Sequence, residues 1–513
     1  MIVKNLNFGD EARDQVFKGI EKLTNAVSST LGASGKCVIL EDAQGNPMIT
    51  KDGVTVADSI TLLNPVENIG ARLIKEAARK TVKEAGDGTT TATILAHSIL
   101  KEAYAKLNKK NGRIIKEGIL SAVDKVIDYL NNTSVPVDEK IKEIATISTN
   151  NDSELGSLIA DAFMAVGKTG VVIMEPSSLG ETKIEIVEGV EYDKGLLNQN
   201  FITNKENSTC ELEKPLVLIV DSKIDSIRQI QGVLEHVIKA NKALLIIGQV
   251  EAPVLSALVM NKIKGNIKIN VIDPPAFGLR RKEILEDLSL LTSAQIINED
   301  LGDDLNTIQI DYLGECLKAT TNNDQTIIQV SEINNEVEKI ISNIKEKLTT
   351  KLKPHQVIGY EQRLARLSAK VAIVKVGANS DIELKEKQDR VEDAICATKA
   401  AIKEGIVAGG GIALLNAASS IEEQNIGEKI LLSSIVYPYK IILENAGIQP
   451  TTQEKPGFGI NVVTGNMVHM INDGIIDPLL VTKSALINAA SVATTILSTD
   501  CVINNVRDYE SNR

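Results

Sequence analysis

Gly86-Asp87-Gly88-Thr89-Thr90-Thr91 is the stretch of this 513-residue chain with the clearest chemical capacity. Its glycines let a backbone approach a ligand closely, and its threonines open directly onto a helical segment. Unpaired N–H groups and the helix dipole favour phosphate at such a start. The threonine hydroxyls add donors, and the Asp87 carboxylate is a hard oxygen ligand of the kind Mg²⁺ takes. In isolation the simpler reading comes first: Asp87 or Thr89 caps a helix. Lys51-Asp52-Gly53 offers a second charged pair at a strand exit. There Lys51 could neutralise a terminal phosphate, and Asp52 could orient a water or hold a metal. Alone, that tripeptide reads as a solvated turn with an incidental ion pair.

Asp393 lies two residues, about 200°, from Val391 on a helix spanning 383–404. It therefore turns away from the apolar stripe of Val391, Ile395 and Ile402, toward solvent or a polar cleft. Gly409-Gly410-Gly411 precedes the apolar helix 412–418 and is either a second anion-friendly helix start or a plain turn. Gly32-Ala33-Ser34-Gly35-Lys36 imitates the end of a P-loop. Thr30 and Cys37 occupy the places where glycine and a hydroxyl would be needed, so it is not a Walker A loop. Gly32 reads instead as the end of a helix.

Helix periodicity runs from Ala12 to about Leu31 through Val16, Ile20, Leu23 and Val27. Two short strands, 37–40 and one ending at Ile49-Thr50, flank a Gly45-Asn46-Pro47 turn. Helices at about 65–84 and 89–107 enclose the Gly-Asp-Gly break. The middle changes character, with strands at 215–220, 243–247, 267–272 and, more weakly, 294–297. Helices at 224–240, 252–264 and 280–291 separate them. That alternation predicts βαβ crossovers and a largely parallel sheet. Helices near 332–348 and 357–369 close this section, and the last hundred-odd residues return to Ala-, Gly- and Thr-rich helix.

Lys and Arg number 56 against 68 Asp and Glu, giving a net charge of −12. This balance argues against a nucleic-acid partner, and 3 % aromatics without Trp leaves no stacking platform. No run nears the ~18 consecutive apolar residues of a membrane span, and the first residues read as neither a secretory signal nor a transit peptide. The scattered Cys37, Cys210, Cys316, Cys396 and Cys501 suit reduced thiols in a cytoplasmic setting. His97, His236, His355 and His469 are equally dispersed, so no His/Cys metal site is expected.

Taken in order, these pieces resemble a group I chaperonin of the GroEL type. The resemblance rests on Thr30-Leu-Gly-Ala-Ser-Gly35, Ile49-Thr-Lys-Asp-Gly-Val54, Ala85-Gly-Asp-Gly-Thr-Thr-Thr91, Arg390-Val-Glu-Asp-Ala394, Val407-Ala-Gly-Gly-Gly411 and Gly474-Ile-Ile-Asp-Pro478. It covers nearly the whole chain and reverses the simpler readings above. The fold it implies is multidomain α and α/β. A mainly helical equatorial domain would come from both chain ends, 1–132 and 405–513. A small α/β intermediate domain would span 133–187 and 372–404, and an apical domain with βαβ units 188–371.

The resemblance also implies ATP and Mg²⁺ as cofactors, with K⁺ a further candidate. Asp87 would hold Mg²⁺, with Gly88, Thr89, Thr90 and Thr91 around the phosphates and Lys51 contacting them. Asp52 and Asp393 would position the hydrolytic water. Thr30, Leu31 and Gly32 would line the nucleotide, and Gly410, Asn461, Ile475 and Asp477 the base and ribose. Ala33-Ser34 and Val462-Val463 depart from the family's Pro-Lys and paired alanines. Leu196, Leu197, Phe201, Leu234, Leu255, Val259 and Met260 would offer an apolar surface to unfolded client proteins and a co-chaperonin lid, although Leu255 and Val259 also fit an ordinary helix core. Where the family has two tyrosines and a leucine, Leu196, Asn200 and Gln231 stand here.

The expected function is an ATPase that encapsulates unfolded proteins within a seven-subunit ring, single or double. The alternatives are a nucleotide-binding ring scaffold with little turnover and a stand-alone ATP-dependent enzyme. Divergence from the family fits a virus-encoded or specialised member, in a bacterial or infected-cell cytoplasm. The segment 450–460, at the family's ring-to-ring contact, is shorter than usual. Lys440 and Gln449 replace the expected charge pair there and cannot form an Arg–carboxylate fork, so weaker ring pairing is expected.

Overall fold

The structure, a computed structural model, describes residues 4–505 apart from 42–44, 46, 108–111, 138–139, 150, 168–169, 178–179, 206, 275–278, 331–334, 349–359, 361–362, 365–366, 368–369, 379 and 450–454. Most of the expected helix 357–369 and the first half of segment 450–460 therefore lie outside the described residues. The chain forms two compact units. One comprises Met1–Ala160, Pro176–Glu181 and Val376–Arg513, and the other Asp161–Glu175 and Thr182–Lys375.

The first unit is mainly helical. Helix Gly9–Ser28 buries Ala12, Val16, Ile20, Leu23 and Val27, following the predicted spacing. Helices Pro65–Ala85 and Thr89–Tyr104 pack with Leu479–Leu497 into the same core. Leu479–Leu497 is long and apolar enough by composition to cross a membrane, yet it lies mostly buried in this core. Its inward positions include Ala485, Ala489, Ala490 and Ala493, whose small side chains let neighbouring helices approach closely. The two chain ends meet where strand Lys4–Phe8 pairs antiparallel with Cys501–Asn505, Leu6 opposite Ile503. Hairpin strands Val38–Glu41 and Pro47–Thr50 end directly at Lys51. Lys440 Nζ lies 5.0 Å over the Tyr437 ring.

His97 is stacked on Phe17 with centroids 5.3 Å apart. Its Nε2 is buried without a partner among the described residues. Burial, helped by the Lys101 charge, lowers its pKa from 6.5 to about 4. The unfolded chain therefore binds a proton that the native state refuses. Stability should fall as pH drops through 6.5 toward 4, by up to about 3 kcal/mol. His97→Phe keeps a ring against Phe17 and should flatten the melting temperature between pH 7 and pH 5. Equal slopes in variant and wild type would remove His97 from the acid response.

The second unit holds the predicted parallel sheet. Its strand order is Ile296–Ile297, Leu216–Ile224, Ala243–Val250 and Lys268–Ile272, all parallel, with Gly314–Glu315 added antiparallel to Leu216–Ile224. Both faces are covered, which explains the unbroken apolar runs. The expected helix 224–240 is corrected at its start: the strand continues to Ile224 and a short 3₁₀ turn, Ile227–Ile230, precedes helix Gln231–Ala240. Ser226 and Gln229 form a reciprocal capping box that fixes the turn. A six-stranded sheet, ordered Val171–Pro176, Lys370–Val376, Lys183–Tyr192, Thr326–Val330, Lys318–Thr321 and Cys210–Glu213, was not foreseen from the sequence.

Candidate functional site

Helix Thr89–Tyr104 begins at Gly88, whose φ of +98° only glycine adopts readily. Gly86, at φ +77°, ends the preceding helix. A side chain at Gly86 would strike Cys396 on helix Asp381–Glu404, so the loop rests directly on the helix that carries Asp393. The Asp87 carboxylate accepts the N–H of Gly88. The N–H groups of the first helical turn remain for a ligand.

Asp52 caps the short helix Gly53–Ser59. Its Oδ1 accepts from the Val54 N–H at 3.1 Å, and its Oδ2 from the Thr55 N–H at 2.7 Å and the Thr55 hydroxyl at 2.6 Å. These three bonds fix the carboxylate's direction. A Cβ at Gly53 would lie 2.3 Å from Thr90 Oγ1, so the Lys-Asp-Gly exit is pressed against the phosphate-type helix start. The two motifs, separate in sequence, thus form one surface. Burial lowers the Lys51 pKa, partly offset by the charges of Cys37 and Glu386.

The opposite wall is built from the carboxyl-terminal part. Strand Ile406–Ala408 pairs antiparallel with Ile476–Pro478, setting Val407 opposite Asp477. Asp477 accepts the N–H groups of Gly410 and Gly411, while burial and the Asp87 charge raise its pKa to about 7. Helix Gly9–Ser28 ends before Thr30-Leu31-Gly32, and Asn445 Nδ2 donates to the carbonyls of Ser28 and Leu31 at 2.9 and 3.0 Å. Asn461 Oδ1 accepts the Val463 N–H at 3.0 Å, and its Nδ2 donates to Asp473 at 3.1 Å.

These walls enclose a cavity of about 1270 Å³. Thr30, Leu31, Gly32, Lys51, Asp52, Asp87, Gly88, Thr89, Thr90, Thr91, Asp393, Gly410, Asn461, Ile475 and Asp477 all line it. Asp393 therefore faces a polar cleft rather than open solvent. Burial, then repulsion from Asp87 and Asp52, pushes its pKa well up. Asp87 is raised likewise by burial and, more weakly, by Asp52, against the opposing Gly88 hydrogen bond. Converging carboxylates in a desolvated cleft create a strong demand for cations. Among the described residues, no three His, Cys, Asp or Glu side chains are grouped to hold a metal unaided. That fits Mg²⁺, which commonly takes one or two carboxylates and completes its shell with phosphates and water.

The lining also includes Lys142, Glu143, Thr146, Asp389 and Arg390, which sequence reasoning missed. Asp389 was within reach, because it precedes Asp393 by one helical turn and shares its face.

The second unit separates the proposed client-binding residues. Met260 is 52 % exposed, while Leu196, Leu197, Leu234 and Leu255 are half-buried against the core. Phe201 and Val259 are not exposed, a correction to the expected surface. Phe201 is folded beneath helix Ala252–Ile263 by a 3₁₀ turn, where Lys262 Nζ donates to the carbonyls of Asn200 and Ile202. Val259 lies on that helix's inward face with Leu258. Ile238 and Ile263, 51 % and 58 % exposed, are apolar side chains that the expected surface did not include. They follow Leu234 by four residues and Met260 by three, the spacing of one helical face.

This fold, with its cleft between a Gly-Asp-Gly helix start and an acid-bearing helix, is that of a chaperonin. Residues 23–507 match the TCP-1/cpn60 chaperonin family, and the chain belongs to it. Two crystal forms of the chaperonin gp146 from bacteriophage EL 2 (Pseudomonas aeruginosa), each in the presence of ATP-BeFx, share the fold. One has a TM-score of 0.75 at 22 % identity, covering 98 % of this chain and 99 % of that one. The other has a TM-score of 0.66 at 20 % identity over the same shares. Family membership carries a chaperone role.

Proposed function

We propose that this chain is an ATP-driven folding chaperone that assembles as a seven-subunit ring. The observation that carries the reading is the meeting of all fifteen phosphate-, base- and water-type residues in one cavity. The helix start at Thr89 supplies N–H donors to phosphate, Lys51 a positive charge and Asp87 a hard ligand for Mg²⁺. Bound Mg²⁺ would neutralise phosphate charge. Asp52, held by three hydrogen bonds, and Asp393, on the facing helix, would orient the attacking water. The gp146 crystals grown with an ATP analogue support nucleotide binding here by likeness of fold.

The three-domain division, the client surface around Leu234 and Met260, a virus-encoded origin and a cytoplasmic setting belong to the same proposal. Hydrolysis would act as a gate, shifting the population of two apical arrangements through differential nucleotide affinity. Mass photometry with parallel phosphate-release assays tests it. Ring particles with Mg²⁺-dependent turnover are expected, with single seven-subunit rings present in at least one nucleotide state. A monomer without turnover would overturn the chaperonin cycle. Fourteen-subunit particles alone, at every dilution and with every nucleotide, would rule out the single ring.

A further inference from the structure

Glu143 stands out among the cavity's polar side chains. It belongs to helix Ile141–Ser148 and lines the cavity with the residues already described. Its Oε2 is buried and has no hydrogen-bond partner among the described residues. Three other carboxylates of the cavity are engaged: Asp52 by Thr55, Asp87 by Gly88 and Asp477 by two glycine N–H groups. A buried acceptor left unmatched is destabilising, so such an atom at a cavity wall marks a place where a ligand donor fits.

The neighbourhood narrows the ligand part. A Cβ at Gly474 would lie 3.1 Å from Glu143 Cγ, so the side chain runs across the backbone that leads into Ile475 and Asp477. Helix Ile141–Ser148 packs on strand Ile476–Pro478, which carries Asp477. Lys140, one turn earlier, donates to the Ile471 carbonyl at 2.7 Å and anchors the helix to the same loop. Phosphates would lie at the Thr89 helix start, and a carboxylate repels them. Glu143 instead suits a neutral O–H or N–H donor.

We infer that Glu143 is a specificity-determining residue that accepts a hydrogen bond from the nucleoside part of the bound nucleotide, a ribose hydroxyl or an amine of the base. This rests on the proposed nucleotide reading of the cavity. A site built around a buried acceptor rejects analogues lacking the matching donor far more strongly than an apolar wall can. Glu143 thus adds discrimination to a wall that also carries the apolar Ile460, Val462 and Ile475.

The test is competition binding on the full-length protein with ATP, 2′-deoxy-ATP, 3′-deoxy-ATP and purine riboside triphosphate, which lacks the base amine. Wild type should bind one of the three analogues about 10-fold or more weaker than ATP. Glu143→Ala should weaken ATP by a similar factor while leaving that analogue unchanged, and Glu143→Gln should fall between. Thermal melts of both variants check folding. Equal losses for ATP and every analogue, or none for any, would overturn the role of Glu143 while leaving ATP binding standing. Failure of wild type to bind ATP would overturn the nucleotide reading and this inference with it.

Discussion

Replacing Asp393 with alanine is expected to slow Mg²⁺-dependent phosphate release by about 10²-fold or more while nucleotide binding persists. The carboxylate projects from helix Asp381–Glu404 into the cavity, on the side away from the buried Val391 and Ile395. Removing it leaves those apolar contacts in place, so the helix should keep its seat. The Thr89 helix start and Lys51, which would bear the phosphates, belong to other elements. Loss of one water-orienting group therefore separates turnover from binding. Taking charge out of an acid-rich cleft should, if anything, tighten the hold on an anionic ligand. Phosphate release measured beside equilibrium ATP binding reads both quantities. Turnover at the wild-type rate in Asp393→Ala would remove the residue from the hydrolytic step.

The legible and illegible parts of this protein divide by the range of the interactions involved. Helix Gly9–Ser28 was readable because its buried residues recur at local spacing, and Gly86 and Gly88 because a conformation that only glycine favours leaves a local trace. The parallel strands around Leu216–Ile224 were readable from their apolar runs. The six-stranded sheet was not foreseen. Lys318–Thr321 is short and Thr-rich, and besides the neighbouring strand Thr326–Val330 it needs a partner far away in sequence, Cys210–Glu213. Similarly, nothing local tells that Phe201 is buried, since the cover comes from helix Ala252–Ile263. The site itself was legible one motif at a time. Its assembly depended on the family resemblance, because Gly53 against Thr90 and Gly86 against Cys396 are tertiary facts. Glu143 carried no motif, and its significance lies wholly in burial without a partner.

Asp87→Ala is expected to abolish Mg²⁺-dependent ATP binding rather than to slow turnover alone. Asp87 sits between two glycines of left-handed backbone, so its carboxylate is placed by main-chain geometry and not by a flexible stem. Burial and the nearby Asp52 already press against its negative charge, and a divalent cation would relieve that cost. Alanine keeps the loop's backbone, since the glycines on either side remain, but removes the only side-chain oxygen between them. Its hydrogen bond to the Gly88 N–H is lost as well. A hydrogen bond of this kind within the loop is worth about 1 kcal/mol, a modest effect on stability. A metal ligand at a phosphate site is worth far more, because the ion screens the phosphates from the surrounding carboxylates. The two roles therefore predict different measurements. If Asp87 holds Mg²⁺, calorimetry will show no saturable Mg·ATP binding in the variant, beside the small drop in melting temperature that loss of the Gly88 bond brings. If it only braces the loop, that small drop will stand alone and Mg·ATP affinity will stay near wild type. Weak metal-free ATP binding surviving in the variant would agree with the first role, because the Thr89 helix start and Lys51 still face the phosphates.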